Sequence, residues 1–169
     1  MSDGGVAAGT TAVHAASWQD DRATIERIRR AVFIDEQGIP EADEWDECDP
    51  VSAHVLAGLT KRDAVGTGRL EATGKIGRVA VLAQFRGCGI GSRIVVHLVK
   101  QATEMGLAQV YLHAQASAVA FYERLGFQVV GPEFDEVGIP HRRMRQRIEQ
   151  LDGHKAGRNG KSEYPVDAG

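Results

Sequence analysis

The chain has 169 residues, of which 43% are hydrophobic and 25% charged, and its formal net charge at pH 7 is −3. This length predicts one domain with a substantial core. The slight negative charge argues against a nucleic-acid partner, and no apolar run is long enough for a membrane span. Because the N-terminus lacks the pattern of a secretory signal, we expect a cytoplasmic protein.

The two cysteines, Cys48 and Cys88, are far apart in the sequence and show no metal-ligand spacing. We therefore predict no metal site and a reducing, cytoplasmic environment. Cys88 lies in a glycine-rich loop, where a small space-filling role is favoured over a redox role.

The first half of the chain predicts one helix and four strands. Residues 1–10 are small and Gly-rich, so we expect a flexible N-terminus. A helix capped by Asp20 or Asp21 continues to about residue 34 and is followed by an acidic connector at 41–50. The strands of this half are expected at residues 11–16, 53–59, 64–71 and 76–82.

The second half alternates between helices and strands. Apolar residues at helical spacing predict a helix over 89–105, and a shorter one is expected over 117–125. Strands are expected at 109–113, near 128–131 and at 142–148. Residues 151–169 carry few apolar side chains, so we expect a disordered tail. The order predicts an α+β fold with a mixed sheet covered by the two helices.

A glycine-dense loop lies between the strand at 76–82 and the helix at 89–105, with glycines at 87, 89 and 91. Glycines let the backbone approach a ligand, and the free N–H groups of a first helical turn bind anions such as pyrophosphate. The spacing is neither that of the dinucleotide fingerprint nor that of a P-loop. The alternative is a tight turn without a ligand.

Two motifs in this order resemble those of the GNAT N-acetyltransferase superfamily. The loop reads Q-x-x-G-x-G from Gln84 and resembles the family's acetyl-CoA pyrophosphate loop. Residues 115–127 are similar to its N-x-x-A-x-x-h-Y-x-x-x-G-F segment, with Gln115 in place of the usual Asn. The chain most resembles the ElaA-like branch, over roughly residues 11–150.

The resemblance implies a mixed, mostly antiparallel central sheet in which the strands at 76–82 and 109–113 splay apart. Acetyl-CoA would enter the V between them as the acyl donor. The residues expected to bind it are Val79, Val81, Gln84, Arg86, Gly87, Cys88, Gly89, Ile90, Gly91, Gln115 and Tyr122.

The implied reaction is direct transfer of an acetyl group from the thioester to an amine. A backbone N–H near Val81 would polarise the carbonyl, and Tyr122 would protonate or stabilise the leaving thiolate. The base that takes a proton from the amine is left open. The candidates are Glu36, Glu71, His113, His141 or a water relay.

Two charged segments bear on the partners. Residues 35–49 contain eight carboxylates and no Lys or Arg. They form either a negative rim that concentrates a cationic amine or a solvated acidic loop. In the last strand, His141, Arg143, Arg145 and Arg147 share one face, which we expect to be exposed; contact with the 3′-phosphate of CoA or with a second subunit of a homodimer is the alternative.

The sequence therefore favours an acetyl-CoA-dependent N-acetyltransferase acting on a small, cationic amine. A non-catalytic acyl-CoA sensor on the same fold is the main alternative, and a nucleotide-binding regulatory protein is a third. The three hypotheses differ in which ligand binds and whether CoA is released.

Overall fold

The structure is a computed structural model that describes residues 11–149, so the expectations for residues 1–10 and 151–169 lie outside the described residues. Within 11–149 the helices are α1 Trp18–Arg29, α2 Glu41–Glu44, α3 Ile90–Glu104 and α4 Val119–Arg124. The strands are β1 Ala12–Ala16, β2 Ala53–Gly58, β3 Gly66–Leu70, β4 Ile76–Val81, β5 Gln109–Gln115, β6 Gln128–Val129, β7 Phe134–Glu136 and β8 Ile139–Arg147.

The strands form two four-stranded sheets. The first has the order β1-β2-β3-β4 and is antiparallel throughout. In the second, β8 pairs antiparallel with β5, β6 and β7. The α+β class and the mostly antiparallel sheet expected from the sequence are confirmed.

The start of α1 differs from the prediction. Ser17 caps the helix, because its hydroxyl accepts a hydrogen bond from the Asp20 N–H at 3.1 Å. Asp21 reaches back to the Ser17 N–H at 3.0 Å, so the free N–H groups of both Ser17 and Asp20 have side-chain acceptors, as in a capping box. Beyond Arg29 the chain continues as a wider, π-helical segment, Arg30–Glu36.

Helix α3 packs directly on β3 and forms the centre of the core. Ile94, Leu98 and Ala102 are fully buried. A Cβ atom built on Gly68 would lie 2.7 Å from the Ile94 side chain, so only glycine permits this close contact between helix and strand. Full burial of an Ile or Leu side chain stabilises the fold by roughly 1.5–3 kcal/mol.

The C-terminal part differs from the sequence prediction in several ways. Strand β7 was not predicted, and β5 extends to Gln115. Helix α4 begins at Val119, after a single 3-10 turn. On β8, Arg143, Arg145 and Arg147 are exposed as expected, whereas His141 is buried because β7 covers it. Within 11–149 no helix is long and apolar enough to cross a lipid bilayer.

Candidate active site

The two sheets separate at β4 and β5 and leave a cleft between them. Their pairing in the described part of the chain is a single parallel bridge between Lys75 and Tyr111, next to a 3.0 Å hydrogen bond from the Tyr111 N–H to the Gly74 carbonyl. Beyond this point the strands diverge around a cavity of about 870 Å³. The predicted splay of this parallel strand pair is therefore confirmed.

Strand β4 carries a bulge on the cleft side. Gly77 pairs with Arg69 and Ala80 pairs with Thr67, so two residues of β4 face one residue of β3. Arg78, inside the bulge, has a φ of 53°, which is a left-handed conformation. A bulge leaves backbone groups without a ladder partner, and in β4 those groups lie beside the cavity.

The glycine loop opens α3 at one end of the cavity. Gly87 and Gly89 both have a φ of 77°, which requires glycine, and a Cβ atom built on either would meet nothing within 4 Å. Gly89 is the N-cap residue, and no side chain caps the helix. The N–H groups of the first turn therefore remain free to bind an anion.

Arg86 of this loop is held by two protein partners. Its guanidinium makes a two-pronged ion pair with Glu36, with N–O distances of 2.5 and 2.7 Å. Its Nε donates to the Val81 carbonyl at 2.9 Å. The hydrogen bond from Arg86 lowers the pKa of Glu36. Glu36 thus anchors the loop to the π-helical segment.

Tyr122 lies on α4 and lines the cavity. Its ring packs edge-on against Phe121 and Phe127, with centroid distances of 4.9 and 5.8 Å. Burial raises the pKa of Tyr122 to about 12. The phenol therefore stays protonated at physiological pH and can donate a hydrogen bond into the cleft.

The wall opposite β4 contains two histidines and a carboxylate. His113 Nδ1 is 3.2 Å from Glu136 Oε1, and His141 Nε2 is 3.5 Å from Glu136 Oε2. All three side chains line the cavity. Beside them, Gln115 Nε2 donates to Gln37 Oε1 at 2.8 Å and so links β5 to the end of the π-helical segment.

The acidic segment 35–49 is not a free loop, because arginines neutralise most of it. Buried Arg29 bonds to Glu44 and Asp49 at 2.6 Å each. Buried Arg69 bonds to Asp49 at 2.8 Å and to Asp46 at 2.7 Å. Glu44 and Asp49 are buried in an ion-pair network that joins α1, α2 and β3, whereas the other six acidic residues of the segment are exposed, as expected for a solvated acidic face.

Burial and pairing with arginine shift the pKa values of these carboxylates in opposite directions. Burial raises the pKa of Glu44, and the pairing with Arg29 does not fully offset it. Burial acts on Asp49 in the same way, but hydrogen bonds from Arg29 and Arg69 outweigh it and lower the pKa of Asp49. Asp49 is therefore the anion on which the two buried arginines depend.

The structure brings most of the predicted site residues together. Those that line the cavity are Val79, Val81, Arg86, Gly87, Gly89, Ile90, Gly91, His113, Gln115, Tyr122 and His141. Glu71, an open candidate for the base, also lines it. Glu36, Gln84 and Cys88 are not part of the lining. Their roles, like those of the other residues, remain predictions.

Sequence reasoning missed Glu136, which contacts both histidines. It belongs to the short strand β7, whose Phe-Asp-Glu sequence has no strand signature. The turn signal that follows, Gly138 before Ile139 and Pro140, was visible in the sequence. Within 11–149 no cluster of three or more His, Cys, Asp or Glu side chains is arranged to hold a metal ion.

Comparison with known proteins agrees with this geometry. A family model described as an acetyltransferase (GNAT) domain matches residues 41–148. The Bacillus subtilis (strain 168) protein YyaT is 41% identical over 130 residues, which cover 73% of this chain and 87% of YyaT.

Two solved structures are also similar to the chain. An acyl-CoA N-acyltransferase from Pseudomonas aeruginosa is 30% identical with a TM-score of 0.71, covering 80% of this chain and 99% of its own. Escherichia coli ElaA is 26% identical, with the same TM-score and the same coverage. The expected resemblance is confirmed: the chain belongs to the GNAT acetyltransferase family.

Proposed function

We propose that the protein is an acetyl-CoA-dependent N-acetyltransferase that acts on a small amine. The observation that carries this proposal is the uncapped first turn of α3, beside the left-handed Gly87 and Gly89, at one end of the cleft. A helix N-terminus of this kind binds phosphate groups. The likeness to a structure named as an acyl-CoA N-acyltransferase supports an acyl-CoA as the donor.

The residues around the cleft fit this donor. The backbone amides from Gly87 to Gly91 would hold the pyrophosphate, whereas the Arg86 N–H donates to the Ala83 carbonyl at 3.3 Å. Val79 and Val81 would lie along the extended arm that follows the pyrophosphate. Gln115, on the facing strand, offers an amide in place of the family's Asn.

The acetyl group is supplied by the donor's thioester, and the chain supplies polarisation and hydrogen bonds. A backbone N–H of β4, between its bulge and Val81, would donate to the thioester carbonyl as charge develops there. Tyr122 would donate a hydrogen bond to the departing sulfur. With a pKa of about 12 it is a weak acid toward a thiolate, so hydrogen bonding contributes more than full proton transfer.

A cationic acceptor is supported by fewer carboxylates than the sequence suggested. Most acidic residues of segment 35–49 are paired with arginines, whereas Asp43 lines the cavity without an ion pair to an arginine in the described part of the chain. Glu136 lines the other wall and contacts only histidines there. These two carboxylates would attract an ammonium group before it is deprotonated.

Release of CoA from acetyl-CoA tests this function directly. Spermidine, kanamycin and lysine serve as probe amines, and acetylated product is identified by mass spectrometry. Turnover with at least one amine is expected. Tight acetyl-CoA binding without any acetylated amine would contradict the enzyme and support a sensor.

A further inference from the structure

We infer that His113 is the base that accepts the amine proton and that Glu136 is the residue that positions it, an inference that rests on the function proposed above. His113 lies on β5 and Glu136 ends β7. The two side chains meet at the cavity wall, with His113 Nδ1 3.2 Å from Glu136 Oε1. The pairing joins two segments that are far apart in the sequence.

The contact with Glu136 determines which nitrogen of His113 carries the proton. A carboxylate only accepts hydrogen bonds, so Nδ1 of His113 must be the protonated nitrogen. Nε2 then has a free lone pair, and within 11–149 no protein group is bonded to it. Since His113 is only partly buried and lines the cavity, this lone pair is accessible to an acceptor.

His141 is less suited to serve as the base, because its Nε2 faces a carboxylate and its side chain is buried. Its Nδ1 is 2.7 Å from the Ile139 carbonyl and donates to it, while its Nε2 is 3.5 Å from Glu136 Oε2. Both nitrogens thus face protein acceptors, and the residue is only 6% exposed. With Nδ1 donating to Ile139, Nε2 of the neutral ring carries a lone pair, and this lone pair faces Glu136 rather than an incoming amine.

Phe134 fixes the two imidazole rings. The edge of its ring meets His113 at a centroid distance of 5.1 Å, and its face stacks on His141 at 6.0 Å. Phe134 and Glu136 are two positions apart on β7, so both point to the face that carries the histidines. Strand β7 therefore supplies both the packing and the carboxylate.

The other candidate bases are engaged elsewhere. Glu36 receives both prongs of Arg86, which lowers its pKa and makes it a weaker base. Glu71 accepts a hydrogen bond from buried Arg69 at 3.1 Å. His113 is the candidate whose basic atom has no protein partner in the described residues.

In the inferred step, an N–H bond of the ammonium or attacking amine breaks and an Nε2–H bond forms on His113. The ring becomes an imidazolium, and its Nδ1–H continues to donate to Glu136, which stays ionised. The positive charge that leaves the amine is thereby stabilised beside a carboxylate. The proton then passes from Nε2 to solvent.

Several charged groups face His113. They will influence how the rate of CoA release depends on pH. Glu136 comes from β7, and His141 and Arg143 come from β8, where Arg143 lies directly opposite His113. Lys75 and Glu71 line the cavity on the β4 side. Glu136 is the carboxylate within hydrogen-bond distance of the His113 ring. Removing Glu136 should therefore change the rate more than removing any of the other charged groups.

NMR spectroscopy of the histidine ring nitrogens tests the arrangement without any ligand. In the full-length protein at mildly alkaline pH, His113 is expected in the Nδ1–H form, assigned with a His113→Asn variant. Glu136→Ala should end the dominance of that form. Glu133→Ala, which changes an exposed glutamate before β7, should leave it unchanged. An Nε2–H form in the unmodified protein would overturn the inference.

The rate of CoA release tests the catalytic role, with spermidine and with water alone as acceptor. His113→Gln should lower kcat/KM about 100-fold, in the range expected for loss of a general base. Glu136→Ala should lower kcat/KM about 10-fold, because the Nδ1–H of His113 loses the acceptor that fixes the tautomer of the ring. Acetyl-CoA affinity should be preserved in both variants.

The outcomes separate this inference from the proposed function. If acetyl-CoA binds and CoA is released, but Glu136→Ala behaves like Glu133→Ala, the inference is wrong and the function stands. If acetyl-CoA does not bind the unmodified protein, the function fails, while the nitrogen spectra still decide whether Glu136 orients His113.

Discussion

At the scale of single residues, the protonation of Tyr122 decides what it can contribute. Burial raises its pKa to about 12, whereas a thiol has an ordinary pKa of about 8.5. Proton transfer from this phenol to a thiolate is therefore unfavourable by several pKa units. A neutral phenol still donates a strong hydrogen bond to a developing anion.

Replacing Tyr122 by Phe removes that hydrogen bond and keeps the ring between Phe121 and Phe127. We expect kcat for CoA release to fall about 10-fold or more, and the acetyl-CoA dissociation constant to change little. Tyr111→Phe is the matched control, since that hydroxyl lies outside the cavity lining. Equal rates for Tyr122→Phe and the unmodified protein would remove Tyr122 from the mechanism.

His54 links stability to pH. Its Nε2 is 2.8 Å from the Asp49 carbonyl, and burial lowers its pKa. The unfolded chain, with an ordinary value of about 6.5, therefore binds the proton more readily than the folded protein. The free energy of unfolding should fall as pH decreases below about 6.5 and be fully present above it.

Urea unfolding at pH 7.5 and pH 5.5 measures this effect. In the His54→Gln variant, the free energy of unfolding should depend less on pH, because glutamine is polar but does not titrate. The same loss of stability on acidification in both proteins would show that other groups are responsible. Asp46 and Asp49, whose pKa values are lowered by arginines despite burial, act at still lower pH.

At the scale of structural elements, the ion-pair network is what orders segment 35–49. Arg29 of α1 lies between Glu44 of α2 and Asp49 of the next turn, and Arg69 of β3 also bonds to Asp49. Arg29 also donates to the Glu44 carbonyl at 2.7 Å. Glu44 and Asp49 can be buried because two arginines from other elements, Arg29 and Arg69, are buried beside them.

Arg29→Met should destabilise the protein by roughly 3–5 kcal/mol, since it leaves Glu44 and Asp49 buried without their shared cation. Arg30→Met is the matched control, because the neighbouring arginine pairs with Glu41 on the exposed surface and such pairs contribute roughly 0–1 kcal/mol. Chemical denaturation measures both variants. Similar losses in both would contradict the assignment of the buried network.

The β7–β8 hairpin contains a strained residue. Val137 and Gly138 connect the closing pair Glu136 and Ile139, and both have positive φ angles, 47° and 76°. Two central residues with positive φ form a type I′ turn, which favours Asn-Gly. A β-branched residue in this conformation is disfavoured.

Val137→Asn should therefore raise the free energy of unfolding by about 1 kcal/mol. Thermal unfolding measures the gain, and Val51→Asn, at an exposed valine with ordinary backbone, is the control that should show none. A lower midpoint for Val137→Asn than for the unmodified protein would mean that the valine side chain stabilises the hairpin by packing.

At the scale of the whole molecule, features encoded locally could be predicted and those that depend on distant contacts could not. The glycine loop, α3 and the strands around them follow from periodicity and turn residues within short windows. The splayed pair followed from the family resemblance. In contrast, the partners of the acidic segment come from α1 and β3, and charge alone did not reveal that Arg29 and Arg69 are buried with it.

The acceptor side of the cleft was predicted least well for the same reason. His113 and His141 were recognisable as titratable residues, but their relation depends on β7, a short strand held in place by β8. Glu136 therefore had no local signal. Its position between the two rings arises only when the second sheet is assembled.

Both sheets contribute residues to one cavity. The first sheet ends in β4 and the glycine loop, the second sheet supplies β5 and the histidines, and Tyr122 comes from α4; the cavity lies between the two sheets. The donor must occupy this cleft for any later step to occur. Occupancy can be tested by changing the loop at a single position.

Calorimetric titration of acetyl-CoA into the Gly89→Glu and Gly106→Glu variants is the most direct test. Both glycines have a φ of 77° and open space at the Cβ position, so the backbone penalty is matched. Gly89 begins α3, where a carboxylate would repel the pyrophosphate, whereas Gly106 follows its other end. We predict that Gly89→Glu loses at least 100-fold in affinity while Gly106→Glu binds like the unmodified protein. Equal affinity in the two variants would contradict the account.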